Sequence, residues 1–206
     1  VEFFRKTGCD ALAISYGTMH GASKGKGVKL RKEIAIAIKE CMMHENLFGV
    51  LVSHGSSTVP GYIVEEINAL GGNIQNAHGI SIEELKAAIP CGIGKINVDT
   101  DIRLAVTRNM KEYFAQHPEK RNSPSIGGVY QLLEEKREQF DPRAFLPPIM
   151  DTVMYGMVPD KDRAELVEVI EKGVKEAIGT LIVEFGSYGK APLVEQVSLE
   201  EMAERY

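Results

Sequence analysis

Three short segments of this chain place polar side chains directly after apolar runs of strand length. The segment 53–60 follows the run 47–52, and the segment 17–24 follows the run 10–16. A third run, 94–98, ends in Asp99-Thr100-Asp101. Because the carboxyl ends of parallel strands meet at one edge of a sheet, we expect these segments to form one shared site.

Two histidines occupy equivalent positions in this pattern. His20 and His54 each stand between an apolar run and a glycine. Two imidazoles at such a place could ligate one divalent metal ion, with the other ligands supplied from elsewhere. A pair of hydrogen-bonded structural histidines fits the spacing equally well. Ser53 and His54 do not form a nucleophile and base, because adjacent strand residues point to opposite faces.

Groups that suit a phosphate surround both histidines. Backbone N–H groups, hydroxyls and an ammonium come from the segments Gly21 to Lys24 and Gly55 to Ser57. Thr100 adds a hydroxyl at the start of a predicted helix, where the helix dipole also favours an anion. A glycine-rich turn alone is more often just a turn. Convergence from three strands predicts a phosphate site.

The third segment carries further polar groups. Asn97 and Asp99 have the same parity on their strand and therefore face the same side. They could bind substrate hydroxyls or a carbonyl, although Asp99 fits a plain helix cap as well. Arg103, one turn into the following helix, could form a salt bridge or reach a second phosphate.

Composition excludes several classes of partner. The 206 residues carry a net charge of -5, which leaves no broad basic face for nucleic acid or an anionic membrane. Three cysteines without a pairing or metal-ligand pattern predict a reduced, cytoplasmic protein. No apolar segment approaches the length of a membrane span.

The order of apolar runs and helical periodicity predicts an α/β fold with a parallel sheet. Helices are expected over Leu30–Met43, over Tyr62–Leu70, from a capping box at Ser81 to Ile89, after the third strand, and over Ala164–Phe185. The apolar stripe of the last helix comprises Val167, Ile170, Val174, Ile178, Leu181 and Phe185, and either covers the fold or meets another subunit. Residues 117–128 are rich in Pro, Ser, Asn and Gly, and are predicted to form a surface excursion.

Three strands alone would leave hydrophobic sheet edges open, which soluble proteins avoid. Residues 1–6 also resemble the end of a helix that has no cap before it. We therefore expect an amino-terminal portion to be missing. Residues 1–206 would then be the carboxyl-terminal portion of a single domain, an eight-stranded (β/α)8 TIM barrel.

Together, the segments 17–25 (GTMHGASKG), 54–57 (HGSS) and 95–103 (KINVDTDIR) resemble the class II fructose-bisphosphate aldolases. The resemblance continues at residues 140–143 and 185–187, and covers nearly the whole chain in order. Residues 117–128 and the ending 199–206 resemble the longer branch of the family, which often accompanies carbon-fixation genes. The resemblance implies a (β/α)8 barrel, in which these segments match the sixth to eighth strands and the carboxyl-terminal helices.

The resemblance also implies roles for single residues. His20 and His54 would be zinc ligands, and the phosphate of dihydroxyacetone phosphate would be held by Gly21, Lys24, Gly55, Ser57 and Thr100. Asn97 and Asp99 would contact the hydroxyl and carbonyl region of the substrate, and Arg103 the far phosphate. Arg143 would reach the site of a neighbouring subunit in a homo-oligomer, a dimer or larger. Backbone carbonyls near Gly21 and Gly55 would help to bind Na⁺ or K⁺.

The implied activity is the reversible aldol cleavage of fructose 1,6-bisphosphate, a phosphorylated ketose, to dihydroxyacetone phosphate and glyceraldehyde 3-phosphate. Zinc, as a Lewis acid, would polarise the ketone and stabilise the enediolate. The alternatives are a tagatose-bisphosphate aldolase and a non-catalytic sugar-phosphate-binding protein.

The chain departs from the family pattern in two large respects and two small ones. It lacks the family's Asp-His-Gly segment, with its proton-transferring aspartate and a further metal histidine, and the later glutamate-bearing strand. We therefore expect residues 1–206 alone to be inactive. The smaller departures are Met19, where serine is usual, and Ser53, where an apolar residue is usual.

Overall fold

A computed structural model describes residues 1–18 and 27–205 of the chain. Within these residues the strands β1 (Ala11–Ala13), β2 (Val50–Ser53) and β3 (Ile93–Ile96) form one parallel sheet in sequence order. Leu12 pairs with Leu51, and Ser53 pairs with Ile96. The predicted α/β fold with a parallel sheet is confirmed. The described strands do not close into a barrel, and barrel closure stays a prediction.

The strands are joined and covered by helices whose bounds are α1 (Glu2–Thr7), α2 (Lys32–His44), α3 (Gly61–Ala69), α4 (Ile82–Ala88), α5 (Thr100–Gln116), α6 (Gly127–Glu135), α7 (Met150–Tyr155), α8 (Lys161–Glu184) and α9 (Leu199–Arg205). Short 3₁₀ turns lie at Pro118–Asn122, Pro142–Ala144, Pro147–Ile149 and Ala191–Leu193. The predicted helices are confirmed to within one helical turn. Every helix in the described part of the chain is too short or too polar to cross a bilayer.

Helix α4 begins at the predicted cap, Ser81, but only one of the two hydrogen bonds of a capping box is present. Ser81 Oγ accepts the N–H of Glu84 at 3.2 Å. In a capping box the Glu84 carboxylate would turn back to the Ser81 N–H. It instead accepts the Leu30 N–H at 3.0 Å and an N–H of Lys32 Nζ at 2.7 Å. The carboxylate therefore ties α4 to the start of α2.

The predicted apolar stripe of α8 coincides only in part with its packed face, where Ile170, Val174 and Phe185 lie against core clusters. The buried residues of α8 are Leu166, Gly173 and Ala177, whereas Ile178 of the predicted stripe is 40% exposed. Small residues dominate this face because α5 lies so close. A Cβ added to Gly173 would stand 2.9 Å from the carbonyl oxygen of Ala105 on α5.

The region 117–128 was expected to be a surface excursion, and this prediction is wrong at Lys120 and Ile126, which contact the helices. Ile126 is fully buried and packs in the core formed by α5, α6 and α8. Lys120 Nζ forms ion pairs with Asp162 at 2.6 Å and Glu165 at 2.9 Å on α8. A buried isoleucine and paired charges hold the segment against the helices, although its composition is typical of a loop.

Candidate active site

The residues that follow β2 and β3 meet at the carboxyl edge of the sheet. The Ser56 N–H donates to the Asn97 carbonyl at 3.2 Å, and the Asn97 N–H donates to the Ser53 carbonyl at 2.8 Å. Gly55 has φ +68°, a left-handed conformation that favours glycine and allows the chain to turn directly after His54. Two of the three predicted segments therefore lie together. The third carries His20, Gly21 and Lys24, which fall outside the described residues.

His54 is exposed at this edge and lies against Asn97. The amide nitrogen of Asn97 is 3.3 Å from His54 Nδ1, and the amide oxygen of Asn97 accepts a hydrogen bond from Lys95 Nζ. An ammonium can only donate, so it fixes the oxygen side of the amide and leaves the NH₂ group facing the ring. Asn97 therefore holds one side of the His54 ring at the sheet edge.

Ser57 connects the turn after β2 to the N-terminus of α5. Its Oγ accepts the N–H groups of Asp99 at 3.2 Å and Thr100 at 3.0 Å. Both Ser57 and Thr100 are buried. Asp99 occupies the N-cap position of α5, as the cap alternative expected, but its side chain makes no capping bond. The capping side chain comes from the turn after β2, because Ser57 reaches the first N–H groups of α5 across the sheet edge.

Asp101 is a site residue that the sequence analysis does not identify. Its carboxylate accepts the N–H of Thr58 at 3.0 Å, the hydroxyl of Thr58 at 2.8 Å and the N–H of Val59 at 2.8 Å. Val59 has φ +52°, a strained conformation for a β-branched residue. An acidic residue in the first turn of a helix is ordinarily explained by the helix dipole, and this hides its part in the turn.

A loop closes over the same turn from the outside. The Ile80 N–H donates to the Ser57 carbonyl at 3.1 Å. A Cβ added to Gly79 would lie 2.1 Å from the Thr58 carbonyl oxygen, so only glycine fits at this crossing. The turn that carries Gly55 and Ser57 is therefore fixed from both sides.

Arg103 and Arg143 share one carboxylate partner. Arg103 pairs with Asp99 at 2.7 Å and also donates to Asp141, while Arg143 Nη2 lies 2.6 Å from Asp141 Oδ2. Hydrogen bonds from Arg143, and then the charge of Arg103, hold the pKa of Asp141 below its usual value of 3.8. The same pairing raises the pKa of Arg143. The two arginines predicted to contact substrate thus stand together beside Asp99.

The described residues alone do not build a metal centre. Within residues 1–18 and 27–205 no group of three or more His, Cys, Asp and Glu side chains could hold an ion. His54 supplies one imidazole at the predicted place. The two-histidine zinc site therefore stays a prediction.

Comparisons with known proteins give one consistent family. The family model for fructose-bisphosphate aldolase class-II matches residues 1–190. A fructose-bisphosphate aldolase of Xanthobacter flavus is 33% identical over 205 residues, which are 100% of this chain and 47% of the relative. One from Giardia intestinalis is 35% identical over 201 residues, 97% of this chain and 49% of the relative. The chain spans about half the length of the curated relatives it matches.

The fold comparison points the same way. The structure is similar to a crystal structure from Coccidioides immitis, of a protein assigned as a fructose-1,6-biphosphate aldolase, with a TM-score of 0.52 and 19% identity. The match covers 94% of this chain and 44% of that one. At this identity the likeness supports the fold alone, whereas the family model and the relatives cover the site segments as well. The chain therefore belongs to the class II fructose-bisphosphate aldolase family.

Proposed function

We propose that the protein is a zinc-dependent class II fructose-bisphosphate aldolase, which cleaves fructose 1,6-bisphosphate reversibly to dihydroxyacetone phosphate and glyceraldehyde 3-phosphate. The observation that supports this best is the meeting of His54, Ser57, Asn97 and Thr100 at one sheet edge. Family membership adds the substrate class, because the relatives are named for this reaction.

His54 and, by family resemblance, His20 would hold the zinc ion. The donor set fits zinc, because imidazole nitrogen is a common zinc ligand. Asn97 lies beside the His54 ring and would help to orient the imidazole for ligation. Zinc, when bound, would supply Lewis-acid polarisation of the substrate ketone.

The turn after β2 and the N-terminus of α5 would hold one substrate phosphate. Ser57 and Thr100 bring hydroxyls, and Gly55 brings a backbone N–H without a side chain in the way, while Gly21 and Lys24 complete the family's set. Fixing one end of the substrate places the reacting carbons against the rest of the site. Asn97 and Asp99 would bind the hydroxyl and carbonyl region, and a monovalent cation near Gly21 and Gly55 belongs to the same proposal.

Arg103 and Arg143 would hold the second phosphate. Their guanidinium groups already lie around Asp141, and a phosphate can accept the same paired N–H groups that a carboxylate accepts. A phosphorylated ketose with charge at both ends fits two separate cationic regions. We place Arg143 beside Arg103 in the same protomer, although the family resemblance implies the site of a neighbouring subunit in a homo-oligomer.

The proposal includes a closed (β/α)8 barrel and a cytoplasmic location. Proton transfer belongs to the family's Asp-His-Gly segment, which residues 1–206 lack, so we expect residues 1–206 alone to be inactive.

Measurements of turnover and metal content test the proposal, and they are made on the protein expressed from the complete gene. We expect stoichiometric zinc, cleavage of fructose 1,6-bisphosphate in preference to tagatose 1,6-bisphosphate, and loss of activity with a chelator that added zinc restores. Preference for the tagatose substrate would indicate the sister activity. Protein that binds dihydroxyacetone phosphate without zinc and without turnover would be a non-catalytic sugar-phosphate-binding protein, and would overturn the proposal.

A further inference from the structure

Three buried hydroxyls join the end of β1 to the turn after β2. Tyr16 Oη is hydrogen-bonded to Ser53 Oγ, and Ser53 Oγ lies 2.6 Å from Ser56 Oγ. Tyr16 is 1% exposed, and Ser53 and Ser56 are 0% exposed. We refer to Tyr16, Ser53 and Ser56 as the hydroxyl chain.

The hydroxyl chain lies in apolar surroundings, where an unpaired hydroxyl is costly. Tyr16 belongs to a core cluster that includes Ile14, Leu51 and Ile93. Burial also raises the pKa of Tyr16, so its hydroxyl keeps its proton at neutral pH. Each of the three hydroxyls therefore relies on another member of the hydroxyl chain for its hydrogen bond. Because hydrogen bonds depend on direction, this contact fixes the positions of the three side chains.

The two serines hold both ends of the segment that carries His54. Ser53 and Ser56 turn their hydroxyls inward and meet, whereas His54 between them is exposed at the sheet edge. With Ser53 and Ser56 linked beneath it, the segment 54–55 projects as a short arch. The imidazole on this arch meets Asn97 on its other side.

Tyr16, three residues after the end of β1, gives this arch a fixed reference point. The Arg31 N–H donates to the Tyr16 carbonyl at 2.7 Å. The next residue, Gly17, has φ +109°, and a Cβ there would lie 3.2 Å from the Lys29 carbonyl oxygen. The backbone around Tyr16 is therefore held on two sides, and its hydroxyl transmits that position to Ser53.

We propose that Tyr16, Ser53 and Ser56 are positioning residues that set the orientation of the His54 imidazole relative to Asn97. A well-oriented imidazole should also bind zinc more tightly, and this consequence rests on the proposed function. The orientation of the ring itself does not.

Nuclear magnetic resonance of the His54 ring in the metal-free protein tests the positioning. The variants are Tyr16→Phe, which removes one oxygen and keeps the ring, and Ser53→Ala, which removes the central hydroxyl. We expect the single His54 ring resonance of the unmodified protein to shift and broaden in both variants. Tyr113→Phe is the matched control, because Tyr113 is also a buried tyrosine and bonds Glu165 at 2.9 Å in another core.

Zinc titration provides the second readout. Loss of a group that orients a metal ligand typically weakens metal binding by about 10-fold to 100-fold. We expect the lower end, about tenfold, for Tyr16→Phe and Ser53→Ala, and unchanged affinity for Tyr113→Phe.

The outcomes separate this proposal from the proposed function. An unchanged His54 resonance in both folded variants would overturn the positioning role, whatever the metal does. If the His54 ring resonance of the unmodified protein does not change when zinc is added, the proposed zinc site is overturned. The resonances of the metal-free variants would still test the positioning role. A Tyr113→Phe effect equal to that of Tyr16→Phe would reduce the hydroxyl chain to general stability and contradict the proposal.

Discussion

Helix α5 is held by hydrogen bonds at its N-terminus and by close packing along its length. At the N-terminus, Ser57 accepts two N–H groups of the helix, and Asp101 accepts three donors from the turn after β2. Further along, α8 approaches so closely that Gly173 faces the backbone of Ala105 with no room for a Cβ. Helix α5 thus contributes its N-terminus to the candidate site and the rest of its length to the packing against α8.

The two contacts constrain different things. Hydrogen bonds depend on direction and fix individual atoms, which a binding site requires. Close packing fixes the distance between two helices but no particular polar atom. We therefore expect changes at the N-terminus of α5 to alter ligand binding together with stability, and changes at the contact with α8 to alter stability alone.

Replacing Asp101 should have the largest effect. Asp101→Ala leaves three donors of Thr58 and Val59 without their acceptor, and removes the group that holds Val59 at a positive φ. We expect the free energy of unfolding to fall by about 3 kcal/mol. Urea unfolding measures this, and inorganic phosphate binding should weaken in parallel because Ser57 belongs to the same turn.

Glu112→Ala is the control for Asp101→Ala. Glu112 lies on the same helix, and its side chain is 43% exposed, so we expect less than about 0.5 kcal/mol. Equal losses in the two variants would show that Asp101 contributes only its charge, and would contradict the clamp between the turn and the helix.

A pair of glycines in α8 isolates the packed contact. Gly173→Ala forces a methyl group against Ala105 and Val106, and we expect a loss of about 2 kcal/mol. Gly179→Ala adds the same group where no atom lies within 4 Å. Because alanine favours a helix over glycine, we expect that variant to gain about 0.5 to 1 kcal/mol.

Thermal or urea unfolding of the two glycine variants checks the signs, and phosphate binding at the site should stay unchanged in both. If Gly173→Ala also gains stability, the contact between α5 and α8 is looser than the structure indicates.

The sequence predicts the parts of the fold that depend on periodicity. Apolar runs and four-residue spacing predicted the parallel sheet and its helices, because burial on a face leaves a repeating pattern. The fully buried residues of α8 were missed for a physical reason. Gly173 and Ala177 carry no hydrophobic signal of their own, and only the approach of another backbone makes them the contact.

The site was predicted in its residue types but not in its bonding. Ser57 and Asp99 were both assigned to the shared site. The side chain that caps α5 is nevertheless that of Ser57, 43 positions earlier than Thr100, which no local pattern predicts. Ser53 was rejected as a nucleophile and noted as a polar departure from the family, but no structural partner was predicted for it. Its partner Tyr16 is 37 positions away, and no local pattern relates the two residues.

The smallest expected effect concerns Arg103 and Arg143, which both pair with Asp141. The pH dependence of stability can show whether Asp141 holds these two side chains together. The pKa of Asp141 is lowered in the folded protein, first by hydrogen bonds from Arg143 and further by Arg103. A carboxyl group with a lowered pKa stabilises the fold above its unfolded value, usually 3.8, and this contribution is lost as the pH falls through the folded value. Asp141→Asn removes the titration, so its stability should decline less than that of the unmodified protein on acidification.

Urea unfolding at a series of pH values from neutral to below 3.8 measures the difference. Arg143→Gln should give an intermediate profile, because Arg103 still donates to Asp141 in that variant. The effect should be modest, since Arg143 is largely exposed and solvent screens its charge. If the stability of Asp141→Asn falls with pH in parallel with that of the unmodified protein, Asp141 does not hold the two arginines together. The arginines would then come together only when a substrate phosphate binds.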